Sequence, residues 1–158
     1  MGINTAGGSR LFIGSSVSTI QPPPLLAAYE TDVWVEVEEV EDLGQFGDES
    51  AAVNFTALKD GRVQKLKGPR DAGTIAIVCG HLPGDLGQIA MTAAEAQPFN
   101  YNFKVMLSDE LEISGNPGIR YFSGMVMSQR LNVGNVSNVV KQNFNVAINT
   151  PVLVVDPT

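Results

Sequence analysis

Apolar and polar residues alternate with a period of two through most of this chain, and that pattern predicts strands. From Val33 to about Glu41, Val33, Val35 and Val37 take one face while Trp34, Glu36 and Glu38 take the other. The alternation slips at Glu38-Glu39, where Val40 falls on the glutamate side, so a bulge or strand end is expected there. A second strand runs from Ala51 to Leu58 with Val53 and Phe55 on one side. The turn signature Lys59-Asp60-Gly61-Arg62 joins it to Val63–Leu66 as a hairpin, and Lys67 to Gly73 reads as a loop. Thr74 to Cys79 is apolar on both faces, so burial on both sides is expected. Phe99 to Leu107, Ile119 to Ser128 and Val139 to Asn149 complete the strands. In the last of these Val140, Gln142, Phe144, Val146 and Ile148 share a face. Val152 to Val155 is an edge strand or an arm.

One segment has helical periodicity. From Leu86 to about Gln97, Leu86, Ile89, Ala93 and Ala96 share a face, which allows close packing on a sheet edge or between subunits. Asp85 is a good N-cap, Gln88 follows three residues later as a capping box requires, and Pro98 stops the helix. The first 32 residues are rich in Gly, Ser, Thr and Ala and contain Pro22-Pro23-Pro24. Only Leu11-Phe12-Ile13 reads as a short strand there, so this stretch is expected to be an extended arm. The pattern predicts a mainly β fold, a β-sandwich or half-barrel with one flanking α-helix. Residues 1–158 form a single domain, with an arm at 1–32, a core at 33–149 and a C-terminal arm at 150–158.

Composition narrows the function classes. The chain has 158 residues, 44% hydrophobic and 17% charged, enough to hold a core without staples. Its single cysteine, Cys79, rules out an internal disulfide. No apolar run approaches the ~20 residues of a membrane span, and the first residues lack a signal-peptide pattern, so folding in a cytoplasm, without a membrane partner, is expected. The net charge of −7 argues against gripping phosphates. The charge is also uneven. Nine of the seventeen acids and no base lie between Glu30 and Glu49, and five of the ten bases lie between Lys59 and Arg70. These blocks read either as solvated surfaces or as complementary patches that meet across a subunit boundary. Phe46, between Gly44 and Gly47, reads either as an isolated surface aromatic or as an anchor for a partner.

The residue patterns of catalysis are missing. His81 and Cys79 are the only residues of their kinds and match no metal-ligand spacing. There is no G-x-S-x-G elbow, phosphate-binding loop or dinucleotide fingerprint. Glu36 and Glu38 could form a glycosidase pair, but they lie among several other acids, as a solvated strand face does. No catalytic residue, metal or cofactor is expected. The sequons at Asn54 and Asn135 matter only in a secreted protein.

The order of the motifs resembles a known family. Trp34-Val35-Glu36-Val37-Glu38-Glu39-Val40, then Gly44-Gln45-Phe46-Gly47-Asp48, then Val53-Asn54-Phe55-Thr56-Ala57-Leu58-Lys59-Asp60-Gly61-Arg62 is similar to the N-terminal half of the tail tube proteins of long-tailed, non-contractile bacteriophages. Leu66-Lys67-Gly68-Pro69-Arg70-Asp71-Ala72-Gly73, Pro83-Gly84-Asp85-Leu86-Gly87-Gln88 and Tyr121-Phe122-Ser123-Gly124-Met125-Val126 resemble later landmarks of that family, and the likeness spans about residues 33–149. It implies a virion protein made in the host bacterial cytoplasm. Hexameric rings would stack head to tail into a hollow tube whose inner wall is a continuous β-barrel. It also implies partners: further copies of the chain, a tape measure protein, a tail terminator and tail tip proteins, with double-stranded DNA passing through the lumen unbound. On that reading Glu36 and Glu38 are lumen-facing candidates. Phe46, Asp48, Glu49, Lys65, Lys67 and Arg70 are candidates for contacts between rings or subunits. The alternatives are a tail terminator or a contractile or secretion-system tube protein of the same fold, or a monomeric β-sandwich binding module.

Overall fold

The computed structural model describes residues 2–17 and 20–158. Its elements are β1 (Arg10–Val17), α1 (Leu26–Glu30), β2 (Val35–Val37), β3 (Val40–Asp42), β4 (Glu49–Thr56), β5 (Val63–Asp71), β6 (Thr74–Gly80), α2 (Leu86–Glu95), β7 (Asn100–Met106), β8 (Ile119–Asn132), β9 (Lys141–Ile148) and β10 (Leu153–Val155).

Seven strands follow the order β2-β1-β7-β8-β9-β6-β3, and β10 pairs with the free end of the long strand β8. The two ends of this path, β2 and β3, are consecutive in the chain, separated only by Glu38 and Glu39. Three peptide steps span at most ~10 Å, so the sheet is rolled until its first and last strands meet. Glu39 makes the junction with a left-handed backbone, φ 58°. The slip in alternation at Glu38-Glu39 is therefore a true strand break.

Inside the roll lie Leu11, Ile13, Val37, Ile75, Ile77, Cys79, Phe103, Val105, Phe122, Val126, Phe144, Val146 and Ile148, joined by Met91 and Ala94 of α2. These are the inward positions of the alternating strands, as a barrel-like core requires. The sole thiol, Cys79, is fully buried, and burial raises its pKa to about 11.

Three sequence expectations change. The supposed arm (1–32, of which Met1, Ser18 and Thr19 lie outside the described residues) contains β1, an interior strand paired with β2 on one side and β7 on the other. Its Leu11 and Ile13 fill the core. α1 follows, and its Tyr29 is buried against Tyr121, with ring centroids 5.2 Å apart. β6 is fully buried on one face only: Ile75, Ile77 and Cys79 point inward, whereas on the outer face Ala76 is exposed and Val78 half-buried. β5 runs on through the expected loop to Asp71, and a register shift opposite Ser50 and Ala52 accommodates Pro69, which has no N–H to donate.

A polar network, buried at Tyr29, Asn102 and Ser123 and open at Ser15, holds the 29–33 segment to the sheet. The Asp32 carboxylate accepts from the backbone N–H groups of Ser15 and Val33, from the Ser15 hydroxyl and from Asn102 Nδ2. Asn102 Oδ1 accepts from Ser123 Oγ, which also meets the Tyr29 hydroxyl at 3.2 Å. Burial alone would raise the pKa of Asp32, but these hydrogen bonds outweigh it and hold the group below its ordinary value.

Candidate assembly surfaces

The junction between β2 and β3 is latched by the start of α2. Asp85 caps the helix by accepting the Gln88 N–H at 3.0 Å, and the same oxygen accepts the Glu38 N–H at 3.1 Å. The Gln88 side chain does not return to the cap backbone as a capping box would. Its Oε1 accepts from the Leu82 N–H (3.1 Å) and Gln142 Nε2 (3.3 Å), and its Nε2 donates to the Glu38 carbonyl (3.1 Å) and the Gly80 carbonyl (2.8 Å). One side chain, 2% exposed, thus ties the helix to both sides of the seam.

Gly87 lets the helix come this close. A Cβ there would run into the Glu36 carbonyl and lie 2.5 Å from Val37 Cα. The face of α2 that packs is therefore Gly87, Gln88, Met91 and Ala94. The stripe Leu86, Ile89, Ala93 and Ala96 does not pack on its own sheet and is in solvent. The stripe that packs is the one that has no Cβ at the closest approach and carries the Gln88 amide to the seam. Beside the outward stripe runs an open groove of about 630 Å³ whose lining includes Leu82, Pro83, Ile89, Ala93 and Ala96, and no Lys, Arg, Asp or Glu contributes to it.

The second surface is the β4–β5 hairpin, which forms a two-stranded sheet of its own. Gly61 (φ 64°) makes its turn, and the Arg62 N–H donates to Asp60 Oδ1. Directly opposed residues share a face. Val53 opposes Leu66 and Phe55 opposes Gln64, whereas Asn54 opposes Lys65 and Ala52 opposes Lys67. Val53, Phe55 and Leu66 thus share a face with Gln64, Lys65 and Lys67 share the other with Val63, and both faces are in solvent: Phe55 is 57% exposed, Leu66 61% and Val63 53%.

The sequence-derived candidates fall in several places. Glu36 lies in β2 opposite Phe12, next in row to Lys104. Arg10 donates to it through Nε and Nη2 at 2.6 and 2.7 Å. That hydrogen-bonded partner lowers the pKa of Glu36 and raises that of Arg10. Lys104 Nζ sits over Phe12 and Trp34, 4.3 and 5.2 Å from their ring centroids, and burial and then Arg10 lower its pKa. Glu36 is therefore ion-paired within its own subunit and lies on a face that also carries Lys104. Glu38 lies beyond the end of β2 and is exposed.

Phe46 turns inward onto Phe122, with ring centroids 5.8 Å apart, and packs on the core. Positive φ at Gly44 and Gly47 makes that turn. Asp48 accepts from Arg70 of the same chain at 3.2 Å, so part of the acid–base complementarity is met within the subunit. Glu49 opens β4 opposite Asp71. Lys65 and Lys67 occupy the hairpin face that also carries Val63. Sequence reasoning missed Gln88 and Gly87 as the latch. The Gly87-Gln88 pair in the first turn after the Asp85 N-cap is the signal that pointed there. Among the described residues no group of three or more His, Cys, Asp or Glu is placed to hold a metal ion, and no helix is long and apolar enough to cross a membrane.

No protein-family model and no curated protein matches the chain. Solved structures do. A chain of the sheath/tube terminator of an extracellular contractile injection system, PVC, superposes with a TM-score of 0.64 at 9% identity, covering 98% of this chain and 98% of that one. A chain of the anti-feeding prophage baseplate gives 0.63 at 10% identity, covering 99% and 98%. The SPP1 tail tube gives 0.59 at 12% identity, covering 92% of this chain and 75% of that one. The chain therefore has the mainly β, helix-flanked fold found in phage tail tubes and in contractile injection systems.

Proposed function

We propose that this chain is a structural subunit of a hollow tube, or of a ring that ends one, assembling through contacts between copies and performing no catalysis. The observation that carries the reading is the fold match: the superpositions run nearly end to end on chains from a tube terminator and a baseplate. A rolled sheet has no long free edge to template uncontrolled growth, while contacts that do not close propagate a filament.

The coverage favours a contractile-system tube or terminator over the non-contractile phage tail tube that the motifs resemble, because the SPP1 subunit exceeds the matched region by a quarter of its length. The phage version adds tape measure, terminator and tip proteins as partners and DNA as the traffic. In that version Glu38 is the acid with which a lumen wall would repel phosphates, since Glu36 is already neutralised by Arg10. The remaining candidates divide between the two sides of a subunit contact: Glu49 at the base of the hairpin, Lys65 and Lys67 on the face they share with Val63.

Sedimentation velocity over a concentration series tests the reading. Growth into rings and larger stacks supports it. A single monomeric species at every concentration and salt rejects it in favour of a binding module.

A further inference from the structure

We propose that His81 is a pH-sensitive pin on the latch that shuts the rolled sheet: a proton on its imidazole breaks the chain of hydrogen bonds that runs through Gln142 to Gln88.

Backbone groups set the polarity of this chain. Gln88 Nε2 donates to the Glu38 and Gly80 carbonyls, and Gln88 Oε1 accepts from the Leu82 N–H. Three backbone partners thus forbid the amide to turn over. Its oxygen faces Gln142, which answers with Nε2 at 3.3 Å. Gln142 Oε1 already accepts from Gln129 Nε2 at 3.1 Å. The other hydrogen of Gln142 Nε2 is then directed at His81 Nδ1, 2.5 Å away. A ring nitrogen that meets a donor has to accept, so Nδ1 carries no proton and the neutral ring holds its proton on Nε2. The carbonyls at the β2–β3 junction dictate the tautomer of a ring at the other end of the network.

A proton on Nδ1 sets donor against donor. If Gln142 turns over in response, its Oε1 meets Gln88 Oε1, and the bonds to Gln88 and Gln129 are lost. If the ring instead swings into solvent, a Gln142 N–H loses its acceptor on a residue only 6% exposed. Either response takes a link from the latch. His81 is exposed, so protons reach it without unfolding. Imidazole is the side chain whose charge ordinarily changes between about pH 5 and 8, and the chain has a single one.

The charges on the surrounding elements are engaged elsewhere or lie apart. Cys79 of β6 is buried with its pKa raised to about 11. Asp85 accepts the Gln88 and Glu38 N–H groups. Glu41 of β3 pairs with Lys141 of β9 at 2.7 Å, and Asp42 accepts the Gly44 N–H. Glu38 and Glu39 at the junction are exposed, and the only charge on α2 is Glu95 at its last position. Arg130 follows Gln129 on β8 and so falls on the opposite face. Among the described residues none of them forms an ion pair with the imidazole.

Urea titration of wild type and His81→Asn at equal protein concentration, at about pH 7.5 and about pH 5, tests the pin. The Asn Oδ1 accepts as Nδ1 does and takes no proton. An unfolded chain takes the proton freely below about pH 6.5, whereas the folded one gives up a hydrogen bond to do so, and stability is therefore lost as pH falls. The two midpoints should agree at the higher pH, and wild type should fall ~0.5 M below the variant at the lower one. In a Gln142→Met background the same comparison should show no gap, which a merely structural role of the ring would not predict.

A second readout needs no variant. In an NMR titration of wild type, the Gln142 side-chain amide and the Leu82 N–H should move along one curve with the single imidazole. This titration decides alone if His81→Asn does not fold. A gap of equal size at both pH values, a gap that persists in the Gln142→Met background, or an imidazole that titrates while the Gln142 amide and the Leu82 N–H stay put would each overturn the proposal.

Discussion

Replacing Gln88 tests how the rolled sheet is held shut. In Gln88→Met the side-chain volume is nearly kept, but four hydrogen bonds disappear: those with the Leu82 N–H, Gln142 Nε2, and the Glu38 and Gly80 carbonyls. Leu82 and Glu38 are exposed, so water repairs part of the loss. Gln142 Nε2 keeps its contact with His81 Nδ1, the Gly80 carbonyl is left unsatisfied at about 1–3 kcal/mol, and with about 0.5–1 kcal/mol for each other lost bond the total is about 3 kcal/mol. With a urea m-value of about 2 kcal/mol/M for a chain of this size, the unfolding midpoint should fall by ~1.5 M. Urea titration at a concentration where the chain is monomeric, followed by the single tryptophan, Trp34, reads this directly.

A second substitution gives the sign. Gln88→Glu keeps the acceptors but loses the donor, so a buried carboxylate would face two carbonyl oxygens and Asp85. Burial and that negative surround raise its folded-state pKa above the unfolded value. The extra stability of its protonated form is then fully present below the unfolded pKa of about 4.3 and is lost as pH rises through the folded pKa. Measured against Gln88→Met, which cancels the pH dependence of all other groups, Gln88→Glu should gain stability on acidification. A midpoint within ~0.3 M of wild type for Gln88→Met, or no gain on acidification for Gln88→Glu, would refute the latch.

Gly87→Ala in an ordinary helix would gain about 1 kcal/mol. Here the new Cβ meets the backbone of β2, so thermal melting should instead show a net loss of ~1–2 kcal/mol. Phe46→Ala should destabilise the monomer by ~2 kcal/mol in the same assay, because the ring packs on Phe122 within its own subunit. Asp32→Ala should cost ~1–2 kcal/mol at neutral pH. Because the folded pKa of Asp32 is lowered, its contribution is present above the unfolded pKa and vanishes as pH falls through the folded one; wild type and variant should therefore converge in acid denaturation. Cys79, with its pKa raised to about 11, should resist thiol reagents at pH 8 until the chain is unfolded.

The strands most legible in the sequence are those whose alternation runs long. β7 and β9 place their apolar residues inward as the period demands, with Phe103, Val105, Phe144 and Val146 fully or almost fully buried. The break at Glu38-Glu39 and the cap at Asp85 are also local events, set by residues within a few positions. What escaped the sequence was decided at long range. β1 has only Leu11 and Ile13 as clear inward residues, and it is a strand because β2 and β7 pair with it from 22 or more positions away. The packed face of α2 could not be chosen from periodicity, since the choice depends on the absent Cβ of Gly87 against β2 and on the distant partners of Gln88. Phe46 looked free because nothing nearby in sequence could cover it, and Phe122 does. The acidic and basic blocks were visible, but not that Asp48 and Arg70 meet within one chain. Which side chains of the hairpin share a face follows from its register, which the turn at Gly61 fixes.

The central claim is assembly of identical subunits around a pore. Negative-stain electron microscopy of the purified protein across a concentration series tests it most directly. Hollow tubes or pored rings, growing in number with concentration, are the predicted result, and rings that never stack would select the terminator over the tube. A field of compact particles of single-subunit size at every concentration would contradict the account.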